Sequence, residues 1–491
     1  MDRLRSLFSH GKSPSRDDQA YEPLPDDGEG SASSLGRDDG EHGGHDIPFS
    51  WVEYAIFAML GVAMLWAWNM FLAAAPYFGT RFGDDAWLAA NFQSAILSVS
   101  TVTNLSAMLL LANMQGSASY PFRITTALVM NVGLFSLLTA STTLFLDVPP
   151  RVYAGFLLAM VGLTSWATGL MQNGAFAFAA GFGRPEYMQA IMTGQAVAGV
   201  LPSVAQIASY LAFVKDPASG HDAEAQQQQQ QDQADAGAAA FYYFLTAVVV
   251  SSAATAAFLP LIRRHGRIVE GRMSDRMAAS HASVEEAERA ARRVVGPMEL
   301  FRKLHFPAGA VFLCFAVTMF FPVFTSKVVS VRSAKPDDDA AAGVAAAAGA
   351  SSSSPLPPLL QPGAFIPLAF FFWNLGDLVG RISTAHPAFA ALRRRPAALF
   401  GLAAARVCFL PLYMLCNVGG RGAVVSSDLF YLLLVQLPFG LTNGWLGSSS
   451  MMAAGEWVDE PEREAAGGFM GLCLVAGLAT GSVLSFSVAG I

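Results

Sequence analysis

Residues 370–381 read "FFFWNLGDLVGR", inside a stretch that is otherwise apolar from Phe365 to Ile382. An aspartate and an arginine, four residues apart, follow three consecutive phenylalanines. On a helix Asp377 and Arg381 share one face, and Asn374, three residues before Asp377, joins them in a polar ridge that Phe370 extends with an aromatic ring. A charge at mid-membrane costs about 2.5–3.5 kcal/mol on insertion scales, so such a ridge must face protein or water rather than lipid. Two readings follow. Either the pair pins this helix to a neighbour, with Arg381 reaching for the nearer membrane face, or the ridge lines a path for a polar solute.

The composition makes a bilayer the relevant solvent. The 491 residues are 53% hydrophobic and only 14% charged, against roughly 25% charged in soluble domains. Apolar runs long enough to cross a hydrocarbon core of about 30 Å recur along the chain. They lie near 50–75, 89–112, 122–145, 152–180, 188–213, 240–262, 306–328, 363–385, 397–417, 428–454 and 466–489. The expected fold class is therefore an all-α polytopic membrane protein with eleven transmembrane helices.

Orientation follows from lysine and arginine. With the N-terminus in the cytosol, the cytosolic segments hold about three times as many of them as the opposite face, which sets a cytosolic N-terminus and an exofacial or lumenal C-terminus. The long basic connection 263–305 then divides the spans into six and five. Four parts result: an acidic tail over 1–47 too poor in apolar residues to fold, a six-helix bundle over 48–262, the basic cytosolic loop, and a five-helix bundle over 306–491. Within the loop, "SVEEAERAARRVVG" has capping-box spacing and i,i+4 ion pairs, which predicts a short charged helix over 283–296. The stretches "AEAQQQQQQDQADAGAAA" and "KPDDDAAAGVAAAAGASSSSPLPP" read as floppy exofacial insertions. No cleavable signal peptide is expected at the N-terminus.

Composition also bounds function. The net charge of −7 sits in the tail and loops, so a nucleic-acid partner is not expected, and Cys314, Cys408, Cys416 and Cys473 all fall in apolar runs with no disulfide framework. No phosphate-binding glycine loop and no His/Cys metal spacing occurs; neither a cofactor nor an enzymatic activity is expected.

Other spans carry polar groups at similar depth: Trp68 and Asn69 in the first, Asn131 in the third, Gln172 and Asn173 in the fourth, Gln189 and Gln195 in the fifth, Asn443 in the tenth. Each alone reads as glue between helices, whereas together they fit a cavity for a polar solute. The sequon at Asn104 falls mid-span, out of reach of a glycosylating enzyme. Glycine- and alanine-rich runs in the fourth and eleventh spans allow close helix approach, and Pro202, Pro411 and Pro438 interrupt spans where helices must bend.

Several segments resemble the equilibrative nucleoside transporter family (solute carrier family 29), its fungal vacuolar or endomembrane members in particular. They are "AWNMFLAAAPYF", "GLMQNGAFAFAAGF", "YMQAIMTGQAVAGVLPSVAQI", "GLTNGWLGSSSMMAAG" and, most specific of all, the Asn-x-x-Asp-x-x-Gly-Arg pattern of "FFFWNLGDLVGR". The resemblance covers about Trp51 to Ile491. It implies a fold like the major facilitator superfamily with one helix missing, six plus five around a central cavity, and facilitated passage of nucleosides by alternating access. Asp377 and Arg381 would then take the ribose hydroxyls, with Asn374 on the same ridge; Gln172 would address the base edge, and Trp68, flanked by Leu65 and Leu72, would wall the base face. Arg123 and Glu464 resemble an ion pair that closes the inner side, and Asn69 and Asn443 are assigned to gating with them. Gly376 stands where a bulkier residue is usual, which bears on cavity width.

The expected substrates are nucleosides such as adenosine and uridine, with nucleobases as a second class and the lipid bilayer as the surrounding partner. Coupling to protons through Asp377 would show as uptake that varies between about pH 5 and 8. A facilitator of another polar solute such as a sugar, and a receptor or scaffold whose charges only pin helices, are the alternatives. A vacuolar or other endomembrane site is favoured by the acidic tail and the fungal resemblance, with the plasma membrane as the alternative.

Overall fold

The computed structural model describes residues 49–114, 119–144, 146–213, 222–279, 295–332 and 357–488. The acidic tail, nearly all of the charged helix expected over 283–296, and most of the stretch 335–358 lie outside those residues. Among the described residues ten helices are long and apolar enough to cross a membrane.

The principal helices are α1 (Trp51–Ala73), α2 (Ala86–Asn113), α3 (Tyr120–Leu144), α4 (Pro150–Gly181), α5 (Pro185–Phe213) and α6 (Asp222–Ala279). They continue with α7 (Pro297–Thr318), α8 (Pro362–Ser383), α9 (Pro396–Ala405), α10 (Leu437–Ala454) and α11 (Arg463–Ser485). Local chemistry sets their ends. Asp85 caps α2 by accepting from the Trp87 and Leu88 amides, and Pro stands in the first turn of α4, α7, α8 and α9, where a missing N–H leaves nothing unsatisfied.

Prolines inside the apolar runs mark the irregular places. Helix α1 breaks at Ala74 and resumes as Ala75–Arg81 over Pro76. Helix α7 kinks at Leu304, three residues before Pro307. The segment expected as the tenth span is helical throughout but changes register: Phe430–Gln436 is a π-helix that passes into α10 at Leu437, next to Pro438. A proline cannot donate to the preceding turn, and the wider π winding absorbs that defect. Helix α6 corrects one expectation, because the glutamine- and alanine-rich stretch read as a floppy insertion belongs to a helix beginning at Asp222. Alanine and glutamine are good helix formers, and low complexity alone does not oppose helix.

Two sets of glycines weld helix pairs, one among α1–α6 and one among α7–α11. In the first half a Cβ on Gly61 would overlap the Ile191 carbonyl and one on Gly194 the Ala58 carbonyl, so α1 and α5 lie backbone to backbone. In the second half Gly376 and Gly380 of α8 meet the Leu437 and Leu441 carbonyls, while Gly440 and Gly444 of α10 meet those of Trp373 and Asp377. Gly376 thus faces α10 and not a cavity, so its small size serves helix packing. Contacts between helices α1–α6 and helices α7–α11 gather in two seams, α5 against α8 with α10, and α4 with α2 against α11.

Candidate functional site

A cavity of about 240 Å³ lies between α1, α2, α4 and α11, with Met319 just beyond α7, slightly below the roughly 300–1,000 Å³ usual for small-molecule sites. Trp68, Leu65, Met64 and Phe71 wall one side with apolar surface, and Val475, Leu478 and Ala479 the other. The polar lining is hydroxyl and amide: Ser100, Thr101, Asn104, Thr164, Ser165, Thr168, Gln172 and Ser482. None of the lining residues is charged. Asn104 Nδ2 donates to Gln172 Oε1 at 3.3 Å, and Ser165 Oγ to Ser100 Oγ at 2.9 Å, so α2 and α4 meet through matched polar pairs. The Thr164 hydroxyl is buried with no partner, a polar group that a solute or a water would satisfy.

Of the residues expected at the site, the cavity brings together Gln172, Trp68 and Leu65. Leu72, one turn beyond Trp68, is 54% exposed and lies outside the cavity lining. Asn69 donates to the Ala198 carbonyl at 2.7 Å and ties α1 to α5. Asn104 was visible in the sequence only as a mid-span sequon, yet it lines the cavity.

Asp377 and Arg381 lie outside the cavity lining, 3% and 5% exposed. Arg381 Nε donates to Asp377 Oδ2 at 2.8 Å, and Asn443 Nδ2 of α10 donates to Asp377 Oδ1 at 2.7 Å. The guanidinium also crosses the seam to α5, where Nη1 reaches the Met192 carbonyl at 2.7 Å and Gln195 Oε1 at 3.2 Å. Gln189 Nε2 returns a bond to the Arg381 carbonyl at 3.1 Å, and Asn374 Nδ2 points to Ser203 Oγ at 3.4 Å. The ridge read from the sequence is therefore real, and in this conformation it faces α5 and α10. Two side chains link it to the cavity: Met64 lines the cavity and its sulfur accepts from Gln195 Nε2 at 2.9 Å, while the same Gln195 accepts from Arg381.

Arg123 is buried, and its guanidinium donates to Asn173 Oδ1 of α4 and to the Met114 carbonyl, with the Tyr120 ring 5.7 Å away. Glu464 sits against Gly181, where a Cβ would lie 2.8 Å from its Oε1. The two expected gate residues thus sit at the same end of the molecule, each against α4. There α4 and α11 close tightly: a Cβ on Gly467 would overlap the Phe176 carbonyl and lie 2.8 Å from Ala180 Cβ, and one on Gly471 would lie 2.8 Å from the Phe176 ring. Arg406 escaped the sequence reading altogether. It is 2% exposed in the ninth apolar run and donates to the Cys314 carbonyl, the Cys314 sulfur and Thr318 Oγ1.

Comparison with known proteins places this arrangement. Residues 158–489 match the nucleoside transporter family. The Saccharomyces cerevisiae nucleoside transporter FUN26 is 31% identical over 473 residues, covering 89% of this chain and 83% of its own. Rat equilibrative nucleoside transporter 3 is 23% identical over 87% of both chains, and the mouse equilibrative nucleoside transporter 1 is 38% identical over 25% of this chain and 28% of its own. Among solved structures, the major facilitator superfamily transporter FucP in its outward conformation superposes with a TM-score of 0.50 at 13% identity, covering 89% of this chain and 96% of that one. That likeness concerns the fold, which is all-helical and of the major-facilitator kind, with about ten apolar helices. By its match over more than half its length and by its kinship to FUN26 along most of both chains, the protein is a member of the equilibrative nucleoside transporter family.

Proposed function

We propose that the protein carries nucleosides across a membrane down their gradient, by alternating access of the cavity to the two sides. The observation that carries this reading is an uncharged cavity pairing one indole wall with an amide pair, Trp68 against Asn104 and Gln172. A nucleobase offers a flat apolar face and an edge that both donates and accepts, and that lining answers both. The absence of charge in the lining favours neutral nucleosides and nucleobases over their phosphorylated forms.

In this reading Gln172 reads the base edge, Trp68 and Leu65 cover its face, and Asp377 with Arg381 takes the ribose hydroxyls once Met64 moves aside. A methionine is the side chain best suited to that movement, with three soft torsions and no branching. Phe430–Ala454 serves as an eleventh span, which together with the ten others gives six helices before the basic loop and five after it, with the N-terminus cytosolic. The end bearing Arg123, Gly467 and Glu464 is then cytosolic and closed here, and the cavity belongs to the opposite side. The acidic tail and the fungal kinship favour a vacuolar or other endomembrane address.

Purified protein in liposomes tests the reading. Labelled adenosine should enter, unlabelled uridine should compete, and glucose should not. Gln172→Ala should raise the KM for adenosine about tenfold, the worth of one or two lost hydrogen bonds. Uptake competed by glucose and not by nucleosides would reassign the substrate. A wild-type protein that is well folded in the bilayer and carries neither would sink transport itself.

A further inference from the structure

We propose that Arg406 is a positioning residue for transport, acting through Thr318 and Asn443 to hold the Asp377 carboxylate in the latch that joins α8 to α5. The inference rests on the transport reading above and goes beyond it.

Arg406 is the one charge in the run Pro396–Tyr413, and it points inward. All the atoms its guanidinium donates to are neutral: the Cys314 carbonyl and sulfur, Thr318 Oγ1 at 3.2 Å, the Phe439 carbonyl at 3.3 Å and Thr442 Oγ1 at 3.3 Å, with the Phe439 ring 4.8 Å away. A buried cation so placed is normally matched by a carboxylate. Here the carboxylate is Asp377, and Thr318 and Asn443 connect the two.

The connection has a direction. Thr318 Oγ1 lies 2.8 Å from the Cys314 carbonyl and 2.6 Å from Asn443 Oδ1, and it has one hydrogen to give. Arg406 donates to that carbonyl and to Oγ1 itself, which satisfies the first acceptor and polarises the hydroxyl toward the second. Asn443 Oδ1 is thereby fixed on the α7 side. Its Nδ2 must then face Asp377 Oδ1, an acceptor, at 2.7 Å. The other carboxylate oxygen is free to hold Arg381, whose Nη1 crosses to Met192 and Gln195 of α5. Without Arg406 the threonine hydroxyl returns to its own helix carbonyl, Asn443 Oδ1 keeps only the weaker Cys314 thiol donor at 3.3 Å, and the latch loses one of its two supports.

The relay predicts a pattern that a packing role does not. In liposomes, Thr318→Val should change the maximal rate of adenosine uptake and KM to a combined loss of about tenfold in their ratio, because a loosened Asp377 weakens both the latch and the grip on the ribose. Thr318→Ser, which keeps the hydroxyl, should stay within twofold of wild type in both. Arg406→Met should lower that ratio by a similar factor, and the double variant should be no more impaired than the more impaired single. Melting temperatures of the purified variants show which are folded; if Arg406→Met is not, the Val and Ser pair at 318 decides alone. A folded Thr318→Val protein with wild-type rate and KM, a Thr318→Ser protein as impaired as Thr318→Val, or single effects that multiply in the double variant would overturn the relay. A wild type that carries no nucleoside overturns the transport reading and the relay with it.

Discussion

The contact of Gly467 with α4 offers the sharpest test of alternating access. An added Cβ would overlap the Phe176 carbonyl oxygen and sit 2.8 Å from the Ala180 methyl, both fixed to the α4 backbone with no rotamer to yield. Ordinary van der Waals separation is about 3.5–4.0 Å, so α11 must retreat from α4 by about 1 Å. Because α4 and α11 belong to different halves, that retreat opens the closed end of the seam. Overpacking of a well-packed contact costs about 1–3 kcal/mol. Here only the conformation closed at this end bears the strain, and the equilibrium shifts toward the other by about 5- to 150-fold.

The assay is labelling of a cysteine placed at Ala177, which is buried beside Gly468 at the closed end. In Gly467→Ala a membrane-impermeant thiol reagent applied from that side should react at least tenfold faster than in the parent. Gly444→Ala is the control. Its Cβ would overlap the Asp377 carbonyl, but α8 and α10 lie in the same half, so it should lower the melting temperature and leave the labelling rate unchanged. A folded Gly467→Ala protein labelled at the parent rate would refute the argument that this glycine permits closure.

Three further outcomes follow. Asp377→Asn strands the Arg381 cation in a site 5% exposed; the loss should be about 3–5 kcal/mol, read as a fall in melting temperature, and Asp377→Asn with Arg381→Met should recover part of it with uptake still absent. Met64→Ala should join the cavity to Gln195 and Arg381, destabilise the protein by about 2–5 kcal/mol, and lower KM for nucleosides more than for free nucleobases, since only the former carry a sugar. At the opposite end, Asp85 caps α2 and meets Arg151 at 2.8 Å, and the hydrogen bond from Arg151 holds its carboxyl below the usual range. A depressed folded value means the stabilisation is present above the ordinary carboxylate range and lost as pH falls through the folded value. Wild-type melting temperature should therefore decline more steeply than that of Asp85→Asn below about pH 4.

The helices were legible because a membrane span needs only a long apolar run, and each expected run overlaps a helix. The polar ridge of α8 was legible too, since i,i+4 spacing fixes a shared face whatever lies opposite. What lies opposite was not. A face that carries Asn374, Asp377 and Arg381 suits a wet cavity and a hydrogen-bonded seam equally, and the choice depends on Met192, Gln195 and Asn443, which are distant in sequence. Arg406 was hidden for a different reason. A lone arginine ten residues into an apolar run has no partner at helical spacing, and its acceptors are carbonyls and hydroxyls of α7 and α10, which sequence patterning does not mark.

The two seams also differ in kind, and the difference bears on how the halves can rock. Between α5 and α8 the halves are joined by hydrogen bonds along the length of both helices, from Gln189 with the Arg381 carbonyl, through Ser203 with Asn374, to Tyr210 with Gln361 at 2.7 Å. Between α4 and α11 the contact at the closed end is backbone against glycine, and farther along α11 it gives way to the cavity wall. Directional bonds break if the helices separate by 1 Å, since hydrogen bonds weaken steeply with distance, whereas a glycine face has no bonds to lose beyond dispersion. The α5–α8 seam should therefore act as the hinge side, holding register while the α4–α11 seam opens. Glycine on the moving side and polar pairs on the hinge side together give a cavity that can exchange sides without exposing Asp377 and Arg381 to lipid.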